Sequence, residues 1–338
     1  MSGEKIVLWR PMYDPAGAEK LRQRGAQVEV VDSDNPADVK KALADAKALW
    51  VRYPQTVTAD ILDSGRDLVC VSTSGFGYDR VDIPAATERG ILVVNNQGFG
   101  RVPVSEHTLM LLLATLKQYM WSDGATRDGS AWDKRSGLPI YELEGKTVGI
   151  IGLGWVGSEL ARKLKLAFHC RVLGYDPYVD PRIPLLVGIE RMGNLMDMLG
   201  QCDLLCMCPE LTEETRMMIG KKELAALPKG AFVVNTSRGR VLDLEALADA
   251  VDSGHVAAAG IDVFEPEPLP PGHRILKHDR ITVTPHIAGM TMETSMRLTE
   301  NAVEQMLTVL NGDVPPFPLN PQVWDAPQSR RPRPNAPR

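Results

Sequence analysis

Short apolar, β-branched runs recur along the first third of the chain: IVLW at 6–9, VEVV at 28–31, ALWV at 48–51, LVCVS at 68–72 and ILVV at 91–94. Amphipathic stretches separate them, which is the alternation of strand and helix expected of an α/β unit. A longer helix is expected to begin near Pro103, with Ser105 and Glu106 in its opening region and apolar side chains from Leu109 to Leu116. It is read as a bridge into a second domain. There the runs are VGIIG at 148–152, RVLGYD at 171–176, DLLCMCP at 203–209, AFVVNTS at 231–237, AAGIDVF at 258–264 and ITVTPH at 281–286. Buried on both faces and joined by helical connections, these six predict a doubly wound parallel sheet. A last amphipathic helix near Met292–Leu310 is expected to return the chain to the first domain. The domains are then 1–102 with 290–324, and 103–289. The segment 325–338, with four prolines, four arginines and little apolar material, is expected to be disordered.

A chain of 338 residues with 44% hydrophobic and 24% charged positions fits two ordinary globular domains. Its formal charge of −5 argues against a nucleic-acid surface, so local arginines must hold any anionic ligand. The most apolar stretch, Met110 to Leu116, is far shorter than the roughly 20 residues of a bilayer span. The opening MSGEKIVLW lacks the basic-then-apolar layout of a secretory signal. No membrane association and a cytoplasmic location are therefore expected. Five cysteines, Cys70, Cys170, Cys202, Cys206 and Cys208, mostly within apolar runs, read as buried free thiols. A metal site is the weaker alternative, since no CxxC pair or histidine cluster would complete one.

Gly152-Leu153-Gly154-Trp155-Val156-Gly157 follows a strand-like run and opens a helix-like one, and Asp176 stands nineteen residues after the last glycine. Such glycines allow a tight turn, close approach of the backbone to a pyrophosphate, and close packing of helix on strand. The helix N-terminus adds N–H groups and positive dipole. An acidic residue at the end of the next strand accepts from ribose hydroxyls and repels a 2′-phosphate, so NAD is the expected cofactor. Arg182, soon after Asp176, is the residue that would oppose that preference.

Three polar segments fall at expected strand ends: Asn235 to Gly239, Asp262 to Pro268, and Thr284 to Gly289. Arg238 alone reads as a surface charge and His286 alone as a core histidine. With the glycine motif, these segments resemble the D-isomer-specific 2-hydroxyacid dehydrogenases, including phosphoglycerate dehydrogenases and glyoxylate or hydroxypyruvate reductases. Further matching segments are VRYPQTVTADIL at 51–62, SGFGYDRVDIPAATERGI at 74–91 and PVSEHTLMLLLA at 103–114.

The resemblance implies two Rossmann-like domains, a flavodoxin-like substrate domain and a doubly wound NAD-binding domain. It implies hydride transfer between NAD and a small anionic D-2-hydroxy or 2-oxo acid. His286 is then the acid/base, Glu267 rather than Glu265 its carboxylate partner, and Arg238 the residue for the substrate carboxylate and C2 oxygen. Ser74, Gly75, Phe76 and Gly77 would receive the carboxylate on backbone N–H groups. Asp262 and the backbone of Thr236 would hold the nicotinamide carboxamide, Pro209 and Thr215 would line the adenosine pocket, and Gly289 belongs to the cofactor set.

Arg52 stands where phosphoglycerate dehydrogenases carry a phosphate-contacting arginine, and Arg101 would add a second positive charge; either is alternatively structural. Arg101, Met290 and the bulk of Phe76 depart from the family pattern, which leaves the substrate side chain open. A homodimer is expected, with aromatic residues between Tyr119 and Trp132 available for the contact. Two alternatives share this scaffold, an NAD-sensing corepressor-like binding protein and a phosphite dehydrogenase. Formate dehydrogenase is disfavoured for want of its asparagine and glutamine environment.

Overall fold

The computed structural model describes residues 3–332. The described residues divide into two compact units, 3–100 with 290–332, and 101–289.

In the first unit, β1 (Lys5–Trp9), β2 (Gln27–Val31), β3 (Ala48–Val51), β4 (Cys70–Thr73) and β5 (Leu92–Val94) form one parallel sheet. Its order, β2-β1-β3-β4-β5, is the flavodoxin-like one. Strand side chains alternate between faces. Val7 and Trp9 therefore join one apolar layer, while Ile6 and Leu8 join another with Ala302, Val303, Met306 and Leu307 of the helix Met292–Leu310. Each fully buried leucine or valine contributes about 2 kcal/mol, so this second face depends on chain supplied after residue 290.

The structure differs from the expectation of disorder over the first part of the tail. Arg330 donates its backbone N–H to the Gly90 carbonyl and its guanidinium to the carbonyls of Gly65 and Arg66, at 2.8 and 3.1 Å. Arg331 lies over the Trp324 ring. Gly90 has φ +68°, and a Cβ there would meet the Gln328 carbonyl oxygen at 1.8 Å. The segment is held by backbone carbonyls, which composition does not reveal. Residues 333–338, covered by the same expectation, lie outside the described residues.

The second unit holds β6 (Thr147–Ile151), β7 (Arg171–Tyr175), β8 (Glu190–Arg191), β9 (Leu204–Met207), β10 (Ala231–Asn235), β11 (Val256–Ile261) and β12 (Ile281–Val283). All are parallel, in the order β12-β11-β10-β9-β6-β7-β8. The order reverses between β6 and β9, which is the switch point at which open α/β sheets bind ligands. The six expected strands are present, and β8 is an addition. It has only two residues, both exposed at the sheet edge, so it leaves no hydrophobic run to read.

The helix Arg101–Leu116 begins slightly before Pro103 and packs on β10 and β11. It approaches closely because Gly260 has no side chain: a Cβ there would meet Leu111 Cβ at 2.9 Å. Leu111, Leu112 and Leu116 share an apolar layer with Val148, Ile150, Leu204 and Val234. All five cysteines are free, four of them buried and Cys208 half-buried. Among the described residues no helix is long and apolar enough to cross a membrane.

Candidate active site

The glycine loop joins β6 to the helix Trp155–Phe168, and its three glycines meet three separate demands. Gly152 has φ +83°, and a Cβ would lie 2.7 Å from the Pro209 backbone, so the turn fits against the end of β9 only without a side chain. A Cβ on Gly157 would lie 2.0 Å from the Gly152 carbonyl oxygen, which sets helix tightly on strand. Around a Cβ at Gly154 there is open space within 4 Å. Here backbone can face a phosphate directly, while the N–H groups of Trp155, Val156 and Gly157, at the first turn, have no intrahelical acceptor. Trp155 is exposed and Val156 half-buried. The residues present therefore fit a dinucleotide.

Asp176, just beyond β7, accepts from Leu153 N at 2.8 Å, Tyr178 N at 2.9 Å and Val179 N at 3.0 Å. It fastens the glycine loop to the next strand end, and a carboxylate with about four acceptor sites keeps one for a ribose hydroxyl. Arg182 is paired with Asp180. A different arginine, Arg191 of β8, donates to the carbonyl of Asp176 at 3.2 Å. Thr215 donates to the Glu210 carbonyl and closes its own turn.

Beyond β10, buried Asn235 organises the arginine loop. Its Oδ1 accepts from Ser237 N and Oγ at 3.0 and 2.9 Å, and its Nδ2 donates to the Arg238 carbonyl. Arg238 is half-buried and donates to the Ser237 carbonyl. A Cβ on Gly239 would lie 2.1 Å from the Phe264 carbonyl carbon, so this loop sits directly on the one carrying Glu267.

Glu267 Oε1 accepts from Phe264 N, and Oε2 lies 2.8 Å from His286 Nδ1. A carboxylate only accepts, so Nδ1 carries the hydrogen toward Glu267. Glu265 instead pairs with Arg240 at 2.5 Å. His286 has φ +55°, and its N–H donates to the Asp262 carbonyl. The Asp262 side chain is fully buried and accepts from Ile287 N and Ala288 N, both at 3.0 Å, and from the Thr284 hydroxyl at 2.6 Å. Gly289, half-buried, ends this strap.

In the first unit, the loop after β4 is fixed by two buried asparagines absent from the sequence-derived set. Asn96 Nδ2 donates to the Gly75 carbonyl at 3.2 Å, and Asn95 Nδ2 to the Phe76 carbonyl at 2.9 Å. Across a trans peptide the C=O and the following N–H point oppositely. The N–H groups of Phe76 and Gly77 therefore face away from the asparagines. Buried Ser74 donates its N–H to the Val51 carbonyl, and the Phe76 ring stands against Gly100.

Arg52 donates to the Pro11 carbonyl at 2.6 Å and lies over the Tyr13 ring, with its buried Nε lacking a hydrogen-bond partner. Arg101 is exposed at the start of its helix and helps hold the Glu159 carboxylate below its usual range, where the main cause is the Arg162 hydrogen bond. The asparagines escaped the sequence reading because the loop contacts they make are to backbone carbonyls and the one side-chain partner, Asn301 on Asn96, lies 205 residues away; their signal is a polar pair directly after an apolar strand.

Fold and glycine loop together define a dinucleotide-binding α/β enzyme. Residues 109–288 match the family of the D-isomer specific 2-hydroxyacid dehydrogenase NAD binding domain. The glyoxylate reductase of Thermofilum pendens is 35% identical over 329 residues, 96% of each chain. The D-3-phosphoglycerate dehydrogenase of Mycobacterium leprae is 39% identical over 90% of this chain, which spans only 58% of that longer protein. The TT0316 protein of Thermus thermophilus superposes with a TM-score of 0.85 at 32% identity, covering 93% of this chain and 99% of that one. The holo form of Rhodotorula graminis D-mandelate dehydrogenase does so at 0.86 and 25%, covering 94% and 98%. The chain belongs to the D-isomer specific 2-hydroxyacid dehydrogenase family, as an oxidoreductase with an NAD-binding domain.

Proposed function

We propose that the protein interconverts a small D-2-hydroxy acid and its 2-oxo acid with NAD, using His286 as acid/base. The observation carrying this reading is the Glu267–His286 pair, which fixes the ring and supports its protonated form, as an acid/base exchanging a proton with the substrate oxygen requires. NAD supplies the hydride chemistry. Arg238 pairs with the substrate carboxylate and polarises its C2 oxygen, a task suited to a planar guanidinium. Asp262 and the Thr236 backbone hold the carboxamide, Pro209 and Thr215 line the adenosine pocket, and Asp176 favours NAD over NADP. The outward N–H groups of Phe76 and Gly77 receive an anionic group, with the Ser74 N–H already given to Val51 and with Arg52 and Arg101 available to a second anionic group. Glyoxylate, hydroxypyruvate and phosphohydroxypyruvate are the substrates to try, and a cytoplasmic homodimer is the working state.

The test is NADH oxidation with that panel, comparing the native chain with His286→Ala. Reduction of one acid, with kcat lost by roughly a thousandfold in the variant while NADH still binds, supports the reading. NADH binding without turnover of any 2-oxo acid overturns it in favour of a binding protein.

A further inference from the structure

One histidine outside the assigned set is wired into the catalytic strap. His107, on the helix Arg101–Leu116, is nearly buried at 14% side-chain exposure. Its Nε2 lies 2.9 Å from Thr284 Oγ1 and 3.4 Å from Asp262 Oδ1. The Thr284 hydroxyl has one hydrogen, given to the Asp262 carboxylate, so toward His107 that oxygen accepts and Nε2 must carry a proton. The same Asp262 holds the backbone of Ile287 and Ala288, immediately after His286.

The next residue repeats the device two strands across the sheet, at the end of β10. Thr108 Oγ1 donates to the Val104 carbonyl and so accepts from the Thr236 hydroxyl at 2.7 Å. Two adjacent side chains of one helix thus reach the ends of β10 and β12, and Gly260 lets the helix come close enough for both.

We infer that His107 is a positioning residue for His286, fixing through Thr284 and Asp262 the strap that presents the imidazole to substrate. The assignment rests on the proposed reaction for its kinetic consequence, but not for its wiring. A misplacement of the reacting group by about 1 Å costs on the order of a hundredfold in rate.

The test compares His107→Leu, His107→Gln and Thr284→Val in kcat, KM for the oxo acid and NADH affinity by fluorescence. Imidazole nitrogen NMR of the NADH-free native protein accompanies it. Leucine should lower kcat by ~10- to 100-fold with NADH affinity nearly unchanged, and glutamine, whose Nε2 also donates, should restore most of it. Combining His107→Leu with Thr284→Val should cost no more than either alone, since both break one chain of contacts. Unchanged kcat in His107→Leu, no rescue by glutamine, or losses that multiply would overturn the assignment. Should the leucine variant not fold, the spectrum decides: His107 Nε2 protonated supports it, and a proton on Nδ1 alone overturns it. That spectrum is readable even where no oxo acid is reduced, so the two failures are distinguishable.

Discussion

The ends of the two sheets are finished in different ways. In the second unit Asn235, Asp262 and Glu267 each hold fixed backbone donors, and His286 stands at the end of that lattice. In the first unit the loop after β4 turns two N–H groups outward, and Arg52 keeps a buried Nε without an acceptor. On the proposed reaction, the groups that hold the reacting atom to a fraction of an ångström are the locked ones. The groups proposed to recognise a variable part of the ligand are those with capacity to fill.

Breaking the locked side should have the larger effect. Glu267→Gln should lower kcat by about 10- to 100-fold, while Glu265→Gln, which loses only the Arg240 pair, should stay within about twofold. Equal losses in steady-state kinetics would refute the choice between the two glutamates. At the other end of the same sheet, Asp176→Ser should raise the NADPH-to-NADH ratio of kcat/KM by roughly tenfold or more. It removes a like charge and leaves Arg191 beside the vacated position.

On the open side, Arg52→Gln should raise KM for a phosphorylated oxo acid by about tenfold, or 1.4 kcal/mol, and leave glyoxylate nearly unaffected. An equal rise for both acids would instead make Arg52 a prop for Tyr13 and Pro11.

Much of this contrast was legible in the sequence, for definable reasons. A strand buried on both faces must be apolar throughout, which made the central strands of both sheets readable directly, while the edge strands β2 and β12 were read from their β-branched runs although much of their surface is exposed. The glycine motif was legible because glycine is required where a Cβ would meet backbone. His107 was not: within an apolar helix one histidine looks like any satisfied polar residue, and its partner Thr284 lies 177 residues away. Asn95, Asn96 and Asn235 act on main-chain atoms, which have no letter in the sequence. The anchoring of residues 325–332 was missed for the same reason, since Arg330 binds carbonyls rather than a recognisable partner side chain.

The smallest effect concerns the cysteines, common to both units. Burial pushes the thiols of Cys70, Cys202 and Cys208 up to about 12 and that of Cys170 to about 11, and raises Cys206 well above the thiol range. At pH 8 a thiol near 12 is ionised on the order of once in ten thousand, so iodoacetamide should leave the native protein unlabelled and modify it after denaturation. Half-buried Cys208 is the expected first site by mass spectrometry; rapid native labelling elsewhere would contradict the packing.

The division of the first unit sets an order of events during synthesis. Its sheet is translated first, yet one face of β1 and β3 stays uncovered until Ala302, Val303 and Met306 have been made. The second unit, continuous from 101 to 289, emerges whole in the meantime. A ribosome-stalled chain in which residue 289 has just cleared the exit tunnel should therefore carry a protease-resistant second unit alongside a digestible first hundred residues, with the earlier-born portion the last to fold.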